Sequence, residues 1–294
     1  MRLGVHVSIA GGLLSALERA RELGCNTMQI FSRSPRGGAA SPLTKKDVKR
    51  FHAGRQASGI DPLIVHAPYI INLASPTRRT WSFSVRWYQE EYARCHALAA
   101  AYLVTHVGSH RGSGENAGIT RVASAINRTL ESLASPVMIA LENTAGSGQG
   151  LGYSFEQLAA MRDRVTDKAR VGICLDTAHL FASGFAIHTE EGLEATLTRF
   201  DQIIGLEHLK VIHLNDSKAA FKSRVDRHWH IGEGRIGLDA MRRIVTHPSL
   251  QQVPFILETP KKTPQDDPRN LATVRRLVTA ALSPTKGPHH AGIA

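Results

Sequence analysis

Cysteine is scarce in this sequence, and the spacing of the few cysteines excludes two classes of protein. Only Cys25, Cys95 and Cys174 occur among the 294 residues, and no two of them form a C-x-x-C motif. An odd number of widely spaced cysteines argues against a disulfide framework and against a zinc site built from thiolates. Any metal ion that this protein binds is therefore expected to use His, Asp and Glu side chains.

Long apolar runs and nucleotide-binding motifs are also missing. No apolar segment approaches the roughly 18 residues of a membrane-spanning helix, and Met1 is followed by a strand-like pattern instead of a signal-peptide core. The sequence contains no G-x-x-x-x-G-K-[ST] loop, and Leu151 replaces the third glycine of a dinucleotide fingerprint. We therefore expect a cytoplasmic protein that neither spans a membrane nor uses a nucleotide cofactor.

Negative charge is in short supply. The chain has 25 Asp and Glu residues against 36 Lys and Arg residues, which gives a formal net charge of +11 at pH 7. An excess of this size favours a polyanionic partner, either nucleic acid or an acidic membrane surface.

Short apolar runs alternate with longer segments of helical periodicity along the chain. Eight such runs occur, at residues 3–8, 27–32, 63–67, 103–108, 137–143, 171–177, 211–215 and 254–259. This alternation is typical of a parallel sheet with helical crossovers, and eight units most simply close into a single-domain (β/α)8 TIM barrel. A doubly wound open sheet is the alternative. We expect the barrel domain to span residues 1–282 and residues 283–294 to be a disordered tail.

Metal-binding residue types stand at the ends of six consecutive predicted strands. From the third run to the eighth, these residues are His66, His106, Glu142, Asp176 with His179, His213 and Glu258. Any one of them alone would most often be a buried polar group or a helix cap. Active-site groups of a TIM barrel, however, gather at the C-terminal ends of its strands. The repetition therefore predicts a metal site at that end of the barrel.

A polar loop after the seventh strand adds two further candidates. Asp226 and His228 are two residues apart, so an extended chain would place both side chains on the same side. The total of nine candidate ligands exceeds the needs of one tetrahedral zinc ion and implies two or three ions. His6 and His110 also lie near strand ends, where an outer contact at the site or a structural hydrogen bond would explain either one.

Three blocks of sequence are specific enough to be compared with a known family. They are H-A-P-Y-I-I-N-L-A from His66, G-I-C-L-D-T-A-H from Gly172, and H-L-N-D-S-K from His213 followed by D-R-H-W-H-I-G-E-G from Asp226. Together with G-V-H-V-S-I-A-G-G from Gly4, they resemble the endonuclease IV family of abasic-site (AP) endonucleases. Members of that family are zinc-dependent (β/α)8-barrel hydrolases of DNA repair. The resemblance covers nearly the whole chain, and all nine metal positions of the family pattern are filled.

The resemblance implies a cofactor and a division of the ligands among three Zn²⁺ ions, with Mn²⁺ as an alternative at one site. One ion would be held by His66, His106 and Glu142. Glu142 would bridge to a second ion, held also by Asp176, His213 and Glu258. The third ion would be held by His179, Asp226 and His228. Within this set, the residues expected to act in catalysis are Glu142, Glu258 and His106.

The resemblance also implies a substrate and a reaction. The substrate would be duplex DNA containing abasic sites, cleaved on the 5′ side of the lesion to leave a 3′-hydroxyl and a 5′-deoxyribose phosphate. Arg36 and Tyr69 would fill the gap in the duplex, while lysines and arginines around the barrel mouth would hold phosphates. We expect the protein to act as a monomer.

Four positions depart from the family pattern, and none of them is a ligand. Ala178 replaces a usual Cys, Lys222 replaces a usual Gly, and Trp229 occupies a variable position. Gly38 stands where a Trp is common. The pair Gly37 and Gly38 makes the Arg36 loop the least certain part of the resemblance.

Two other functions fit parts of the sequence. A metal-dependent sugar isomerase or epimerase would use the same barrel, but such sites are dominated by carboxylates, whereas the nine candidates include five imidazoles. A non-catalytic DNA-binding module would explain the charge but leaves the nine strand-end candidates without a role.

Overall fold

Eight strands of the structure correspond to the apolar runs in the predicted alternation of strands and helices. The computed structural model describes residues 1–35 and 42–282. In this part of the chain the strands are β1 (Leu3–Val7), β2 (Met28–Phe31), β3 (Leu63–His66), β4 (Tyr102–Thr105), β5 (Met138–Glu142), β6 (Val171–Asp176), β7 (Leu209–His213), β8 (Asp216–Ser217), β9 (His228–Trp229) and β10 (Phe255–Leu257).

Eight of these strands form a closed parallel barrel in the order β1, β10, β7, β6, β5, β4, β3 and β2. Closure is made by β1, which pairs with β10 at Leu3 and Phe255 and with β2 at His6 and Gln29. The prediction of a TIM barrel is confirmed, and the open-sheet alternative is wrong because β1 has a partner on each side. Each of the eight predicted runs overlaps one barrel strand.

Helices surround the barrel and connect its strands. They are α1 (Leu13–Glu22), α2 (Lys45–Ser58), α3 (Arg78–Ala97), α4 (Glu115–Ser132), α5 (Phe155–Asp163), α6 (Thr177–Ser183), α7 (Glu190–Ile203), α8 (Leu238–Thr246) and α9 (Asp266–Leu282). Local sequence sets their ends, as α2 illustrates. Thr44 caps its first turn by accepting a hydrogen bond from the Asp47 N–H (3.1 Å), and Gly59 ends it at φ 65°. Within the described residues, no helix is long and apolar enough to cross a membrane.

The barrel interior contains one apolar layer that lies directly beneath the predicted site. Its members are fully buried and come from six strands: Ile64, Val104, Ala140, Cys174, Val211 and Ile256. Each of them stands two residues before one of the strand-end candidates. Because side chains alternate along a strand with a period of two, each candidate points in the same direction as the layer residue beneath it. The layer therefore forms an apolar floor under a polar cluster.

One structural feature was not predicted from the sequence, and some of the predicted features lie outside the described residues. The antiparallel pair β8 and β9, in which Asp216 faces Trp229 and Ser217 faces His228, was not predicted. Arg36, Gly37 and Gly38, together with the predicted tail at residues 283–294, lie outside the described residues. The domain boundary at residue 282 therefore stays a prediction.

Candidate metal centre

The nine candidate ligands come together at the C-terminal end of the barrel. Eight of them form three overlapping groups, and the ligand atoms within each group lie within 4.8 Å of one another. The groups are His66, His106 and Glu142; Glu142, Asp176, His213 and Glu258; and Asp176, His179 and His228. Asp226 lies against the third group. The structure thus brings together all the residues that the strand-end pattern singled out.

Glu142 links the first group to the second. Its Oε2 atom lies 2.9 Å from His66 Nε2 and 2.8 Å from His106 Nε2. Its Oε1 atom lies 2.9 Å from His213 Nδ1 and 3.5 Å from His179 Nδ1. The carboxylate is fully buried, whereas the His106 side chain is 30% exposed and is the member of the first group most open to solvent. One carboxylate therefore faces two sets of nitrogen atoms, an arrangement compatible with a bridging ligand.

Asp176 links the second group to the third, a feature that the sequence did not predict. It is the N-cap of α6, because its Oδ1 atom accepts a hydrogen bond from the His179 N–H (2.8 Å). Its Oδ2 atom lies 3.4 Å from His228 Nε2. Capping the helix also fixes the position of His179 in the first turn. A single aspartate thus orients one candidate ligand and offers its second oxygen to the centre.

Asp226 reaches the third group from a loop that is docked on α6. The Lys222 and Arg224 N–H groups donate to the carbonyl oxygens of Phe181 (3.2 Å) and Ala182 (2.9 Å). This docking places Asp226 Oδ2 at 3.2 Å from His179 Nε2 and Asp226 Oδ1 at 3.4 Å from His228 Nε2. The Asp226 side chain remains half exposed, so this group opens toward solvent.

Main-chain carbonyl groups orient three of the histidines. The Nδ1 atoms of His66, His179 and His228 lie 2.7, 2.9 and 3.1 Å from the carbonyl oxygens of Ala67, Asn143 and Glu258. A carbonyl oxygen only accepts, so each Nδ1 carries a hydrogen, and a ring that has no second proton presents the lone pair of Nε2 to the centre. A metal-binding imidazole usually donates its other ring N–H to a carbonyl or carboxylate oxygen in this way.

The donor set fits divalent cations. The Nε2 atoms of His179 and His228 are buried. Asp226 lies 3.2 and 3.4 Å from them, but neither nitrogen forms a well-aligned hydrogen bond among the described residues, and a buried polar atom in this position is costly unless another ligand satisfies it. The mixture of imidazole and carboxylate donors suits zinc and neighbouring transition metals. The centre therefore meets the chemical requirements for the ions that the resemblance implies.

The ionisation of the cluster also favours cations. Burial tends to raise the pKa of Glu142, but the nearby His106 and His213 outweigh it and hold that pKa well below the ordinary value. For Asp226 burial is likewise outweighed, here mainly by His179, and the pKa is lowered to about 2. Burial opposes charge on His179, but Asp176, Asp226 and Glu142 raise its pKa to about 10. Glu142 and Asp226 are thus ionised at neutral pH, and a metal ion would compete with a proton for His179.

Sequence reasoning missed the amides that hold the carboxylates in place. The Asn215 Nδ2 group donates to Asp176 Oδ2 (2.7 Å), and its Oδ1 atom accepts from the Glu258 N–H (2.8 Å). Asn143 Oδ1 accepts from the Asp176 N–H (2.6 Å). Both asparagines follow candidate ligands closely in the sequence, in E-N and H-L-N, and that proximity was the available signal.

A buried aspartate secures the loop beyond the third group. Asp216 is fully buried, and its carboxylate accepts hydrogen bonds from five main-chain N–H groups, those of Ser217, Gly232, Gly234, Ile236 and Gly237. A Cβ atom on Gly234 would lie 2.4 Å from Asp216 Oδ1, so only glycine fits there. These bonds, with the β8–β9 pairing, hold the segment that carries His228.

The remaining predicted residues lie around the mouth or outside the cluster. Tyr69 is 65% exposed, and its ring lies 5.4 Å from that of Phe31. Trp229 lies on β9 beneath two lysines, with Lys218 Nζ 4.4 Å and Lys262 Nζ 5.8 Å from the ring centre. Ala178 is buried in α6. Arg36 lies outside the described residues, and its role stays a prediction.

The two additional histidines have different contacts. His6 Nδ1 lies 3.0 Å from Glu258 Oε1, so this side chain touches a candidate ligand. His110 Nδ1 accepts a hydrogen bond from the Gly114 N–H (3.2 Å), a contact within its own loop.

Comparisons with known proteins identify relatives of this chain. A family model described as xylose isomerase-like TIM barrel matches residues 17–278. A protein of Halothermothrix orenii named probable endonuclease 4 is 45% identical over 276 residues, which cover 94% of this chain and 99% of the relative. The crystal structure of endonuclease IV from Thermus thermophilus has 35% sequence identity and a TM-score of 0.85, and the match covers 95% of this chain and all of that one.

More distant structures share only the fold. D-psicose 3-epimerase from Clostridium cellulolyticum has a TM-score of 0.66 at 16% identity, with the match covering 96% of this chain and 97% of that chain. Coverage is near-complete in both cases, so it is the higher sequence identity that distinguishes the endonuclease relatives. The chain therefore belongs to the endonuclease IV family of xylose isomerase-like TIM barrels.

Proposed function

We propose that this protein is a metal-dependent DNA repair endonuclease that hydrolyses the phosphodiester bond 5′ to an abasic site in duplex DNA. The products would be a 3′-hydroxyl and a 5′-deoxyribose phosphate. The observation that carries the proposal is the convergence of nine His, Asp and Glu residues in linked groups at the barrel mouth. Near-full-length relatives named endonuclease 4 support the same function.

The proposed cofactor is a set of three Zn²⁺ ions, with Mn²⁺ as an alternative at one position. His66, His106 and Glu142 would hold one ion, and Glu142, Asp176, His213 and Glu258 the next. His179, Asp226 and His228 would hold the third, with the second oxygen of Asp176 directed toward it. When bound, such ions make water a better nucleophile at neutral pH and offset negative charge that develops on the phosphate and the leaving oxygen.

The protein groups have distinct tasks in this proposal. Glu142 keeps two neighbouring sets of nitrogen atoms at a fixed separation, since each of its oxygens faces one set. Glu258 is held by contacts with His6 and with the amide of Gln29. His106 is the partly exposed member of the first group and stands nearest to solvent. Because water is the attacking group, no covalent intermediate with the protein is required.

The proposed substrate follows from charge and from the rim of the barrel. The net charge of +11 favours DNA, and electrostatic contacts with phosphates would supply much of the affinity. The abasic sugar must leave the duplex to reach the buried cluster, and a missing base lowers the unstacking cost. Exposed Tyr69, together with Arg36, would then fill the gap. We propose that a monomer carries out the reaction.

One experiment separates this function from the two alternatives. The protein is incubated with abasic duplex, with intact duplex and with free pentoses, each in the presence and absence of a chelator. Chelator-sensitive cleavage of the abasic duplex alone is the expected result. Conversion of a pentose would favour a sugar isomerase or epimerase, and binding to DNA without cleavage would favour a non-catalytic module.

A further inference from the structure

Gln29 is a polar residue within the apolar strand β2, and it lies inside the barrel. Its side chain is fully buried and reaches between two candidate ligands. The amide nitrogen Nε2 donates to Glu258 Oε1 (2.7 Å), and the amide oxygen Oε1 lies 2.8 Å from His213 Nε2. Gln29 therefore connects two members of the second group without being able to serve as a typical metal ligand itself.

The hydrogen bonds of Gln29 determine which ring nitrogen of His213 faces the cluster. An ionised Glu258 can only accept, so the amide nitrogen of Gln29 must be the end that faces it. The amide oxygen then faces His213 Nε2, which must carry a hydrogen to form the bond. In the neutral ring the lone pair is left on Nδ1, which lies 2.9 Å from Glu142 Oε1 and 3.3 Å from Glu258 Oε2.

His213 is therefore oriented in the opposite sense from three of the other histidines. His66, His179 and His228 present Nε2 to the centre because main-chain carbonyl oxygens bind their Nδ1 atoms. The corresponding partner of His213 is the side chain of Gln29. A side chain, unlike a main-chain carbonyl, can be removed by one substitution.

We propose that Gln29 is a positioning residue with two effects. It selects the Nδ1 atom of His213 as the ligand for a divalent cation, and it holds the Glu258 carboxylate beside that atom. The inference rests on the metal-dependent function proposed above. His6 borders the same pair: its Nδ1 atom lies 2.9 Å from the Gln29 amide nitrogen and 3.0 Å from Glu258 Oε1, and it accepts from the first or donates to the second according to its tautomer. Phe31, whose ring centre lies 4.3 Å from that of His6, packs against the same network.

The test is Gln29→Met, which keeps a similar length and removes both polar ends. The full-length parent and variant are labelled with ¹⁵N-histidine, and zinc affinity is measured by titration against a competing chelator. In samples loaded with ¹¹³Cd²⁺, coupling between cadmium and nitrogen identifies the bound ring atom, and the His213 signal is assigned by its loss in His213→Gln. For the parent we expect coupling to Nδ1 of His213 and to Nε2 of His66.

Gln29→Met is expected to lose the Nδ1 coupling of His213, or to divide it between the two ring nitrogens. It should also weaken zinc binding by roughly 10- to 100-fold, as is usual when an outer partner of a metal-binding histidine is removed. Gln29→Glu retains an acceptor for His213 Nε2, and its other oxygen can face Glu258 Oε1 by sharing a proton with it, so this variant should keep the Nδ1 coupling. These signatures report on ring orientation, which a purely structural role for Gln29 would leave unchanged.

Thr27→Val is the matched control. Thr27 is also fully buried, immediately before β2, and its hydroxyl donates to the Pro62 carbonyl oxygen (2.7 Å) away from the cluster. This variant should retain the parental coupling and zinc affinity. The inference is overturned if Gln29→Met keeps both, or if Thr27→Val loses as much zinc affinity as Gln29→Met.

The remaining outcomes are also decisive. If Gln29→Met does not fold, Gln29→Glu settles the matter, because retention of Nδ1 coupling supports the inference and its loss overturns it. A parent that binds neither zinc nor cadmium would instead refute the proposed metal-dependent function. The failure of the inference and the failure of the function are therefore distinguishable.

Discussion

The rings of His66 and Tyr69 lie 5.8 Å apart, yet the two side chains have different surroundings. His66 is buried with its Nε2 atom 2.9 Å from Glu142, whereas Tyr69 is exposed at the barrel mouth. Pro68, which separates the H-A pair from the tyrosine, fixes the backbone just past the strand end. One short motif therefore supplies both a candidate metal ligand and a candidate DNA contact.

Tyr69→Ala should weaken binding to abasic duplex while leaving the zinc content unchanged. Stacking of an aromatic ring on a base contributes roughly 1–3 kcal/mol, which corresponds to roughly five- to 150-fold in affinity. Fluorescence anisotropy and metal analysis would measure the two quantities, and Tyr69→Phe, which keeps the ring, should bind like the parent. His66→Ala should show the converse, with zinc lost and binding largely kept. Parental affinity in Tyr69→Ala would assign lesion recognition to other residues.

Asp216→Asn should destabilise the protein and loosen the third group. The amide retains one acceptor oxygen but turns an NH₂ group toward main-chain donors, so several of the five hydrogen bonds to Asp216 are lost. Loss of several hydrogen bonds to a buried carboxyl group is expected to lower the free energy of unfolding by at least about 2 kcal/mol. Urea unfolding would measure it.

The control for that change is Asp239→Asn, because the Asp239 side chain is 85% exposed and its contact with Arg242 is 4.0 Å long. Its effect should stay below about 0.5 kcal/mol. Equal stability of Asp216→Asn and Asp239→Asn would show that the loop does not depend on the buried carboxylate.

Zinc affinity of the third group should rise with pH. The pKa of His179 is raised to about 10, so in the metal-free protein this imidazole is protonated at neutral pH and must release its proton to bind metal. Affinity should therefore increase about tenfold per pH unit below that pKa for the one proton displaced. Asp226, with a pKa lowered to about 2, stays ionised and adds nothing to the slope.

Competitive zinc titrations between about pH 6 and pH 8 would measure this dependence on either side of neutrality. Removing the titrating group in His179→Gln should reduce the slope as well as the affinity. If the zinc affinity of the parent does not change with pH, His179 is not protonated in the metal-free protein as assigned here.

Lys222→Gly should leave stability unchanged or raise it by up to about 1 kcal/mol, unlike most substitutions by glycine. Lys222 has φ 59°, a left-handed conformation that glycine adopts without steric cost. Lys49→Gly, in the exposed middle of α2, should instead cost about 1 kcal/mol. Urea unfolding of both variants decides the point, and equal losses would show that the Lys222 side chain offsets its backbone strain.

The strand-end residues were predictable from sequence because side chains alternate along a strand. A residue two positions after a buried strand residue therefore faces the same way, as His213 does after Val211. The second role of Asp176 was not predictable, because it depends on α6 and on a loop fifty residues further along that brings in His228. Gln29 was hidden for a related reason. A polar residue within an apolar run shows no partner until barrel closure brings it beside Glu258 and His213.

The most direct test of the central claim is cleavage of an end-labelled abasic duplex by the parent and by Glu142→Gln, with the new ends mapped. The parent should cut on the 5′ side of the lesion to leave a 3′-hydroxyl, and chelation should stop it. Glu142→Gln removes the charge of the carboxylate that faces two sets of nitrogen atoms, so cleavage should be abolished while DNA binding stays within a few fold of the parent. A fully active Glu142→Gln, or cleavage by the parent that survives removal of metal, would contradict the account.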